Sequence, residues 1–481
     1  MPSKPIDIAN PTSPLKGGLR GASIYFVGAG GIGMANLVRY FLDKGCRVAG
    51  YDRTSTLLTD ALRKEGAEMV FEDDPGLIPA EMLDREKTLV VYTPAVGNDN
   101  RILSKFRELG FEPIKRAALL GIITRGTVGI CVAGSHGKTT TSSMTAWILE
   151  QTKGGCNAFL GGILRNTGSN LMLTRGSNYS VIEADEYDRS FHQLAPWLAV
   201  ITSTDPDHLD IYGDEAGYRE GFSHFTSLIR PGGYLIINSS LTIETRLAEG
   251  VARETYSGHD PMQKRGDWYA DNIRWGRGLL TIDIHGPEAE ITDVSLGVPV
   301  EINIDNSVVA AAAAWHAGAT ADEIRRGLST FKGAERRFQI WLDGSQKGGT
   351  VLIDDYAHSP AEVRASIESV RKLYPGKEIA VIFQPHLYTR TRDFAQEFSE
   401  ALSAADTVIM PEIYPARELP IPGVDSQMVL KGVKSKNKMY CERKNLLNLI
   451  KNSNFEVLMT LGAADLNVLL PEITANLTNK S

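Results

Sequence analysis

The stretch that decides the fold is Gly129-Ile-Cys-Val-Ala-Gly-Ser-His-Gly-Lys-Thr-Thr-Thr141. Its apolar beginning, Gly129–Ala133, predicts a buried strand, and Thr139–Glu150 predicts the helix that follows a glycine-rich turn. Elsewhere along the chain, short β-branched or apolar runs alternate with longer helical stretches. That alternation predicts parallel sheets covered by helices, so the predicted fold class is α/β.

The turn has the chemistry of a phosphate-binding loop. Its glycines let the backbone approach phosphate, Lys138 is placed to reach β- and γ-phosphates, and the Thr139 hydroxyl is placed to ligate Mg²⁺. The full GxxxxGK[ST] spacing would need glycine where Val132 stands, so the match is incomplete. The residues predicted to bind ATP are Gly134, Ser135, His136, Gly137, Lys138, Thr139 and Thr140.

The chain divides into three predicted domains around this motif. Boundaries near Thr124 and Gly333 give domains 1–123, 124–333 and 334–481. Alternating stretches such as Leu279–Ile284 predict some antiparallel strands in the central domain. The alanine-rich run Val308–Trp315 predicts a buried helix.

Composition excludes several classes of protein. The 481 residues are 42% hydrophobic and 23% charged, with a net charge of -7 and a pI of about 5.8. This balance argues against a general binder of nucleic acid or of a membrane surface. No run approaches the ~18–20 apolar residues of a membrane span. We therefore expect a cytoplasmic protein.

The cysteines predict neither a disulfide framework nor a zinc site. The chain has four, and they are far apart without a CxxC pair. We expect buried or inert thiols in a reducing compartment. These cysteines are Cys46, Cys131, Cys156 and Cys441.

A second glycine-rich turn, Gly28-Ala-Gly-Gly-Ile-Gly33, follows the predicted strand Ser23–Val27. Glycines let the backbone approach a diphosphate, and the helix that follows supplies N–H donors. Asp52 ends the next strand, where a carboxylate suits ribose hydroxyls. The motif indicates a nucleotide diphosphate site and leaves open a dinucleotide cofactor or a UDP-sugar.

Two acidic clusters follow predicted strands of the central domain. These are Glu183-Ala-Asp-Glu-Tyr-Asp188 and Asp205-Pro-Asp-His-Leu-Asp210. Crowded carboxylates repel one another unless they are solvated or bound to a cation. Together with the phosphate-binding turn, they predict Mg²⁺ positions around a transferring phosphoryl group.

The last third carries polar clusters of its own after two strands. They are Asp354-Asp-Tyr-Ala-His-Ser-Pro360 and Gln384-Pro-His-Leu-Tyr-Thr-Arg-Thr-Arg-Asp393. Arginine forks suit carboxylate and phosphate. Arg336 and Arg337 stand at the second boundary, where a residue could enter a site on domain closure.

Taken in order, these motifs resemble the Mur ligases, over about residues 23 to 465. The resemblance rests on Gly28–Gly33, Gly134–Thr140, Glu183–Glu186, Asp207–Asp210, Arg336-Arg-Phe338, Asp354–His358 and Gln384–Asp393. It implies a Rossmann-like UDP-sugar domain, a central ATPase domain and a Rossmann-like C-terminal amino-acid domain. The last motif most resembles the members that add L-alanine to UDP-N-acetylmuramate.

The resemblance also implies the chemistry. The lactoyl carboxylate of UDP-N-acetylmuramate attacks the γ-phosphate of ATP, and the amine of L-alanine attacks the acyl phosphate, releasing ADP and phosphate. Lys138 would stabilise the γ-phosphoryl group. Thr139 and Glu183 would hold one Mg²⁺, and His208 would help to hold a second.

Further roles are implied at matching positions. Asn303 and Asn306 would lie near adenine and ribose, with Arg336 and Asp354 also toward the nucleotide. The implied catalytic residues are Lys138, Glu183, His208, Arg337, His358 and Arg390. The implied substrate-binding residues are Gly28, Gly30, Gly31, Ile32, Gly33, Asp52, Thr93, Tyr356, His358, His386 and Arg390.

Some positions depart from the family pattern. Ser135 stands where threonine is common, Ile302 replaces a histidine before Asn303, and Ser359 replaces a second histidine after His358. Ala464 stands where glycine is frequent.

Alternative functions remain open at this stage. One is a recycling ligase that joins a preformed tripeptide to UDP-N-acetylmuramate. Another is a nicotinamide-dependent oxidoreductase, which would leave Lys138 and the acidic clusters unused. A third is a non-catalytic nucleotide-gated binding protein. The sequence also leaves open a monomer or a homodimer.

Overall fold

The structure is a computed structural model, and it describes residues 22–478 apart from 98, 259, 261, 277, 345–348 and 417. Residues 1–21 of the predicted first domain and 479–481 of the last therefore lie outside the described residues. The described strands form three sheets. Each sheet belongs to one third of the chain.

The first sheet is parallel and has the strand order β3-β2-β1-β4-β5. Its elements are β1 (Ser23–Val27), α1 (Ile32–Asp43), β2 (Arg47–Tyr51), α2 (Leu57–Glu65), β3 (Glu68–Val70), β4 (Thr88–Tyr92), α3 (Arg101–Glu108) and β5 (Ile114–Lys115). The strand order reverses between β1 and β4, and ligands of open α/β sheets bind at such a switch point. The turn Gly28–Gly33 and Thr93 follow these two strands.

The central sheet is mixed, with the order β15-β14-β13-β12-β11-β10-β6-β9-β7-β8. Its first half comprises α4 (Arg116–Gly126), β6 (Val128–Ala133), α5 (Lys138–Glu150), β7 (Asn157–Leu164), β8 (Ser169–Met172), β9 (Tyr179–Glu183), β10 (Leu198–Ile201), α6 (Leu209–Tyr212) and α7 (Glu215–Thr226). Its second half comprises β11 (Tyr234–Asn238), β12 (Ala252–Ser257), β13 (Trp268–Gly276), β14 (Leu279–Gly286), β15 (Ala289–Ser295), α8 (Ile302–His316) and α9 (Ala321–Thr330). β14 is antiparallel to both of its neighbours, as its alternating sequence predicts.

The third sheet has the order β16-β17-β21-β18-β19-β20, and only its edge strand β16 pairs in the antiparallel sense among the described pairs. Its elements are β16 (Gln339–Asp343), β17 (Val351–Asp355), α10 (Pro360–Leu373), β18 (Ile379–Phe383), α11 (Tyr388–Asp393), α12 (Ala395–Leu402), β19 (Thr407–Met410), α13 (Ser426–Gly432), β20 (Asn437–Tyr440), α14 (Leu446–Asn452), β21 (Val457–Leu461) and α15 (Leu470–Thr478).

The three-part α/β architecture confirms the predicted fold class. The predicted buried helix is also present, since the alanines of α8 are fully buried. The predicted boundary at Thr124 falls inside α4, whereas Gly333 lies in the segment before β16. Within the described residues, no helix is long and apolar enough to cross a membrane.

Candidate active site

The turn after β6 holds its lysine in a defined place. The Lys138 ammonium donates to the Gly134 carbonyl at 2.5 Å and to Glu186 Oε1 at 2.8 Å. The same turn is tied to the loop after β10, because the Ser135 hydroxyl donates to the Asp205 carbonyl and the His136 N–H donates to Ser203 Oγ. Hydrogen bonds therefore hold the two loops together. Thr140 lies in the first turn of α5.

The two glycines of the turn are required by the close approach of its neighbours. Gly134 has a φ of +139°, and a Cβ there would lie 2.1 Å from Thr202 Oγ1. Gly137 has a φ of +83°, and a Cβ there would lie 2.9 Å from Asn306 Oδ1. The left-handed region disfavours other residues. This explains the glycine spacing that the sequence shows.

Thr139 and Glu183 are brought together beside the turn. The Glu183 carboxylate accepts a hydrogen bond from the Gly161 N–H at 2.9 Å, and the nearby Thr139 hydroxyl favours its charged form. Burial raises the pKa of Glu183 above its usual range, against the lowering effects of Thr139 and the nearby Lys138 charge. A half-buried carboxylate next to a hydroxyl fits a divalent cation that takes its other ligands from phosphates and water.

The structure does not join His208 to this pair. His208 precedes α6 with a φ of +51°, and its ring packs edge-on against Tyr187 at 5.2 Å between centroids. Its Nε2 lies 3.7 Å from Asp207. Among the residues that the structure describes, no group of three or more His, Cys, Asp or Glu side chains converges as a metal site. The second Mg²⁺ position stays a prediction.

The paired asparagines of α8 lie under the phosphate-binding turn. Asn306 Oδ1 accepts from the Thr141 hydroxyl at 3.1 Å, and its amide donates to Asn303 Oδ1 at 3.0 Å. Both side chains are buried, and Asn303 also donates to the Val298 carbonyl. They brace α5 from below. Ile302, which departs from the family pattern, is partly exposed at the start of α8.

The glycine-rich turn of the first sheet is braced by Asp52. Asp52 accepts from the Gly30 N–H at 2.6 Å and from the Thr54 N–H at 3.3 Å. A Cβ at Gly28 would lie 2.4 Å from the Thr93 methyl carbon, so Thr93 packs directly on the turn. Gly31 has open space around it, and the next residue, Ile32, is exposed. The turn thus keeps an open side at the switch point.

A cavity of about 110 Å³ connects this turn with Glu183. Its lining combines Gly33, Asn36 and Arg116 from the first third of the chain with Leu160, Gly161 and Glu183 from the central sheet. Sequence reasoning missed Arg116, which begins α4 directly after β5. A Cβ at Gly33 would lie 3.1 Å from its guanidinium. An arginine at the end of a strand, on the same edge as a diphosphate loop, was the available signal.

The third cluster gathers at the carboxyl end of β17. Arg336 and Arg337 lie over the Tyr356 ring at 5.0 and 5.2 Å, and His358 meets that ring edge-on at 5.2 Å. Burial lowers the pKa of His358, as do the charges of Arg390 and Arg337, while Glu362 opposes the shift. The structure therefore brings five of the predicted residues to one place, with Arg390 supplied by α11.

Two acids lie beneath this cluster. Asp354 is buried, accepts from the Thr460 hydroxyl at 2.6 Å, and has Arg336 Nε at 3.6 Å. Burial raises the pKa of Asp355 to about 6, although Ser366, Arg337 and the Phe338 N–H favour its charged form. His386 follows β18, which β21 separates from β17, and its ring stacks on Tyr414 at 5.9 Å between centroids.

Models of known families match all three thirds of the chain. Residues 23–127 match the Mur ligase family catalytic domain, 132–314 the Mur ligase middle domain and 336–456 the Mur ligase glutamate ligase domain. A UDP-N-acetylmuramate–L-alanine ligase of Parabacteroides distasonis is 52% identical over 451 residues, which is 94% of this chain and 96% of that protein. The chain belongs to the Mur ligase family.

Other relatives agree with this assignment. A UDP-N-acetylmuramate–L-alanine ligase of Flavobacterium psychrophilum is 40% identical over 95% of this Mur ligase and 98% of its own length. The crystal structure of UDP-N-acetylmuramate-alanine ligase from Thermotoga maritima superposes with a TM-score of 0.71 at 24% identity, over 96% of this chain and all of that one. At that identity the superposition establishes the fold alone.

Family membership establishes the class of reaction among the functions that the sequence left open. The chain is a ligase, so neither the oxidoreductase nor the non-catalytic hypothesis holds. The choice of acceptor is a separate question.

Proposed function

We propose that this Mur ligase joins L-alanine to the lactoyl carboxylate of UDP-N-acetylmuramate, using ATP and releasing ADP and phosphate. The observation that carries the proposal is the similarity, over nearly the whole chain, to relatives that bear this activity as their name. ATP use follows from the same similarity and from the turn around Lys138.

Each ligand has a place in this proposal. The UDP diphosphate lies on the turn Gly28–Gly33 beside Arg116, and the sugar with its lactoyl group extends through the cavity toward Glu183. ATP lies on the turn after β6. L-Alanine lies at the Tyr356 and His358 cluster. The supporting observation is that the cavity extends from Gly33 of the first turn to Glu183 at the end of β9.

In the first step, a lactoyl carboxylate oxygen attacks the γ-phosphorus and the bond to the β-phosphate oxygen breaks. The product is an acyl phosphate, and ADP leaves. Lys138 offsets the charge that gathers on the transferred group. Thr139 and Glu183 would hold Mg²⁺, which when bound would neutralise phosphate charge.

In the second step, the neutral alanine amine attacks the acyl carbon, the bond to phosphate breaks, and the nitrogen loses one proton and keeps the other as the amide N–H. His358 suits a proton acceptor because its lowered pKa keeps the ring neutral. Its Nδ1 faces the Tyr356 carbonyl at 3.1 Å and Glu362 at 3.3 Å. The hydrogen therefore belongs on Nδ1, and Nε2 is the basic atom. Arg337 and Arg390 would hold the carboxylate of alanine or the departing phosphate.

Several finer statements belong to the same proposal. We propose domain limits of 1–123, 124–333 and 334–481, a cytoplasmic location and no nucleic-acid or membrane partner. The active form is a monomer or a homodimer.

The test is phosphate release from ATP with Mg²⁺ and UDP-N-acetylmuramate, with and without L-alanine. Alanine-dependent phosphate, together with a product heavier by one alanyl residue, is the expected result. Release with a preformed tripeptide but not with alanine would move the activity to the recycling ligase. The absence of phosphate release with every acceptor would refute the proposed reaction.

A further inference from the structure

Lys138 has one N–H donor left after its contacts within the protein. An ammonium group carries three donors. One goes to the Gly134 carbonyl at 2.5 Å and one to Glu186 Oε1 at 2.8 Å. The direction of the third is therefore set by the first two. Glu186 supplies the only charged partner of Lys138 among the ion pairs of the described residues.

Glu186 is a buried acid that is paired with Lys138. It is 2% exposed, and its Oε2 accepts no hydrogen bond from the described part of the chain. A buried charge without its counter-ion is costly, so the carboxylate and the ammonium keep each other in place. The neighbouring acid Glu183 behaves differently, since it accepts a hydrogen bond from the Gly161 N–H. Glu183 and Glu186 therefore have different roles, although they belong to the same acidic cluster.

The backbone of Glu186 is anchored by Tyr212. The Tyr212 hydroxyl donates to the Glu186 carbonyl at 2.6 Å. Two glycines of α7 make room for that tyrosine: a Cβ at Gly217 would lie 2.3 Å from the Tyr212 carbonyl, and one at Gly221 would lie 2.7 Å from its ring. Glycine is a poorer helix former than alanine. Gly217 and Gly221 therefore weaken α7 but leave the space that Tyr212 occupies.

Tyr218 ties the same helix to the phosphate-binding turn. Its hydroxyl lies 2.9 Å from Ser135 Oγ, and its ring packs edge-on against Tyr212 at 5.0 Å between centroids. The segment α6–α7 therefore contacts both the turn that carries Lys138 and the backbone that carries Glu186. Relative movement of the lysine and the glutamate is restricted from both sides.

We propose that Glu186 is a positioning residue that directs the free N–H of Lys138 toward the γ-phosphate of bound ATP. This inference rests on the proposed use of ATP at the turn after β6. Glu186 stays paired when the nucleotide binds, because its burial leaves it no other partner. Replacing Glu186 should slow phosphoryl transfer more than it weakens nucleotide binding. The replacement removes a negative charge near the phosphates, which by itself favours nucleotide binding.

The test uses Glu186→Gln, which keeps the size of the side chain. We expect kcat for ADP formation to fall at least 10-fold while the KM for ATP stays equal or decreases. The matched control is Glu254→Gln, because Glu254 is a partly buried acid of the same domain that pairs with His316 at 2.9 Å. The control should keep both constants within 2-fold. Tyr212→Phe should lower kcat in the same direction by a smaller factor.

A second measurement does not depend on the acceptor. In ³¹P NMR of ATP bound to the full-length protein, the γ-phosphate resonance of Glu186→Gln should move toward that of Lys138→Ala, and Glu254→Gln should match the wild type. An unchanged resonance, or a raised KM with unchanged kcat, would overturn the positioning role. Wild-type protein that binds ATP but forms no alanyl product would refute the proposed reaction, and the resonance would still decide the role of Glu186.

Discussion

Replacing Gly161 with alanine should lower the activity of the enzyme while leaving its stability nearly unchanged. A Cβ at Gly161 would lie 2.2 Å from Glu183 Oε2 and 2.4 Å from Oε1, whereas ordinary contacts begin at 3.4 Å. In Gly161→Ala the carboxylate must therefore retreat by about 1 Å from its place beside Thr139. It can do so, because a carboxylate is the far end of a flexible side chain.

The expected magnitudes follow from this geometry. Misplacing a catalytic group by ~1 Å costs about 10²-fold in rate, so kcat/KM should fall by that order. Stability should change little. The loss of the hydrogen bond from the Gly161 N–H costs ~1 kcal/mol. The reduced freedom of the unfolded chain returns about 0.4–1 kcal/mol. The midpoint of thermal unfolding should stay within ~4 °C of the wild type.

The assay is alanine-dependent phosphate release, measured against substrate concentration to obtain kcat/KM, and then against Mg²⁺ concentration at saturating substrates. The variant should need more Mg²⁺ for half-maximal rate, because Glu183 is displaced. Gly154→Ala is the control, since the nearest atom to its Cβ is Thr152 Oγ1 at 3.9 Å. Activity within 3-fold of the wild type at an unchanged Mg²⁺ requirement would refute the role given to Glu183.

Three further variants test other parts of the site. Lys138→Ala should abolish ADP formation and leave UDP-N-acetylmuramate binding, measured by calorimetry, within ~3-fold of the wild type. The free energy of unfolding, measured in urea, should fall by ~3 kcal/mol because Glu186 loses its partner. Adding Glu186→Gln should recover most of that stability. The raised folded-state pKa of Asp355, about 6, means that the folded state binds the extra proton, so stability falls as pH rises from about 4 to 6. Asp355→Asn should remove that loss and gain up to ~3 kcal/mol over the wild type by pH 7 in urea unfolding, whereas parallel pH curves would contradict the assignment. Arg116→Ala should raise the KM for UDP-N-acetylmuramate by ~10-fold, with the KM for ATP unchanged, as expected for a lost charge-assisted hydrogen bond; equal effects on both substrates would argue against a contact with the diphosphate.

The strands were predictable because buried parallel strands are short apolar runs bounded by polar or glycine residues. β1 (Ser23–Val27) begins and ends where the sequence places it. The helix α4 was not predicted. Its apolar run Ala117–Ile123 continues into Thr124, which is fully buried, so no polar linker marks the division there.

The site was predictable to the extent that it lies in local motifs. Lys138, Thr139 and the glycines of both turns can be read from a few consecutive residues. The role of Glu186 cannot, because its hydrogen bond spans 48 positions along the chain. The contact of Arg116 with Gly33 likewise forms only in the folded protein, and the one local signal for it is an arginine directly after a strand. Pairings of this kind depend on the order of strands in the sheet.

Ser359 shows how a departure from the family pattern is compensated by its neighbours. Ser359 caps α10 by accepting from the Glu362 N–H, and Glu362 Oε2 in turn accepts from the backbone N–H groups of Ser359 and His358. The same Oε2 lies 3.3 Å from His358 Nδ1. A histidine at position 359 would lack the short hydroxyl side chain of this capping box. Serine therefore gives the helix its cap and fixes Glu362 where it favours a hydrogen on Nδ1 of His358. The basic Nε2 is left for the incoming amine, so one substituted residue serves both the start of the helix and the tautomer of the proposed base.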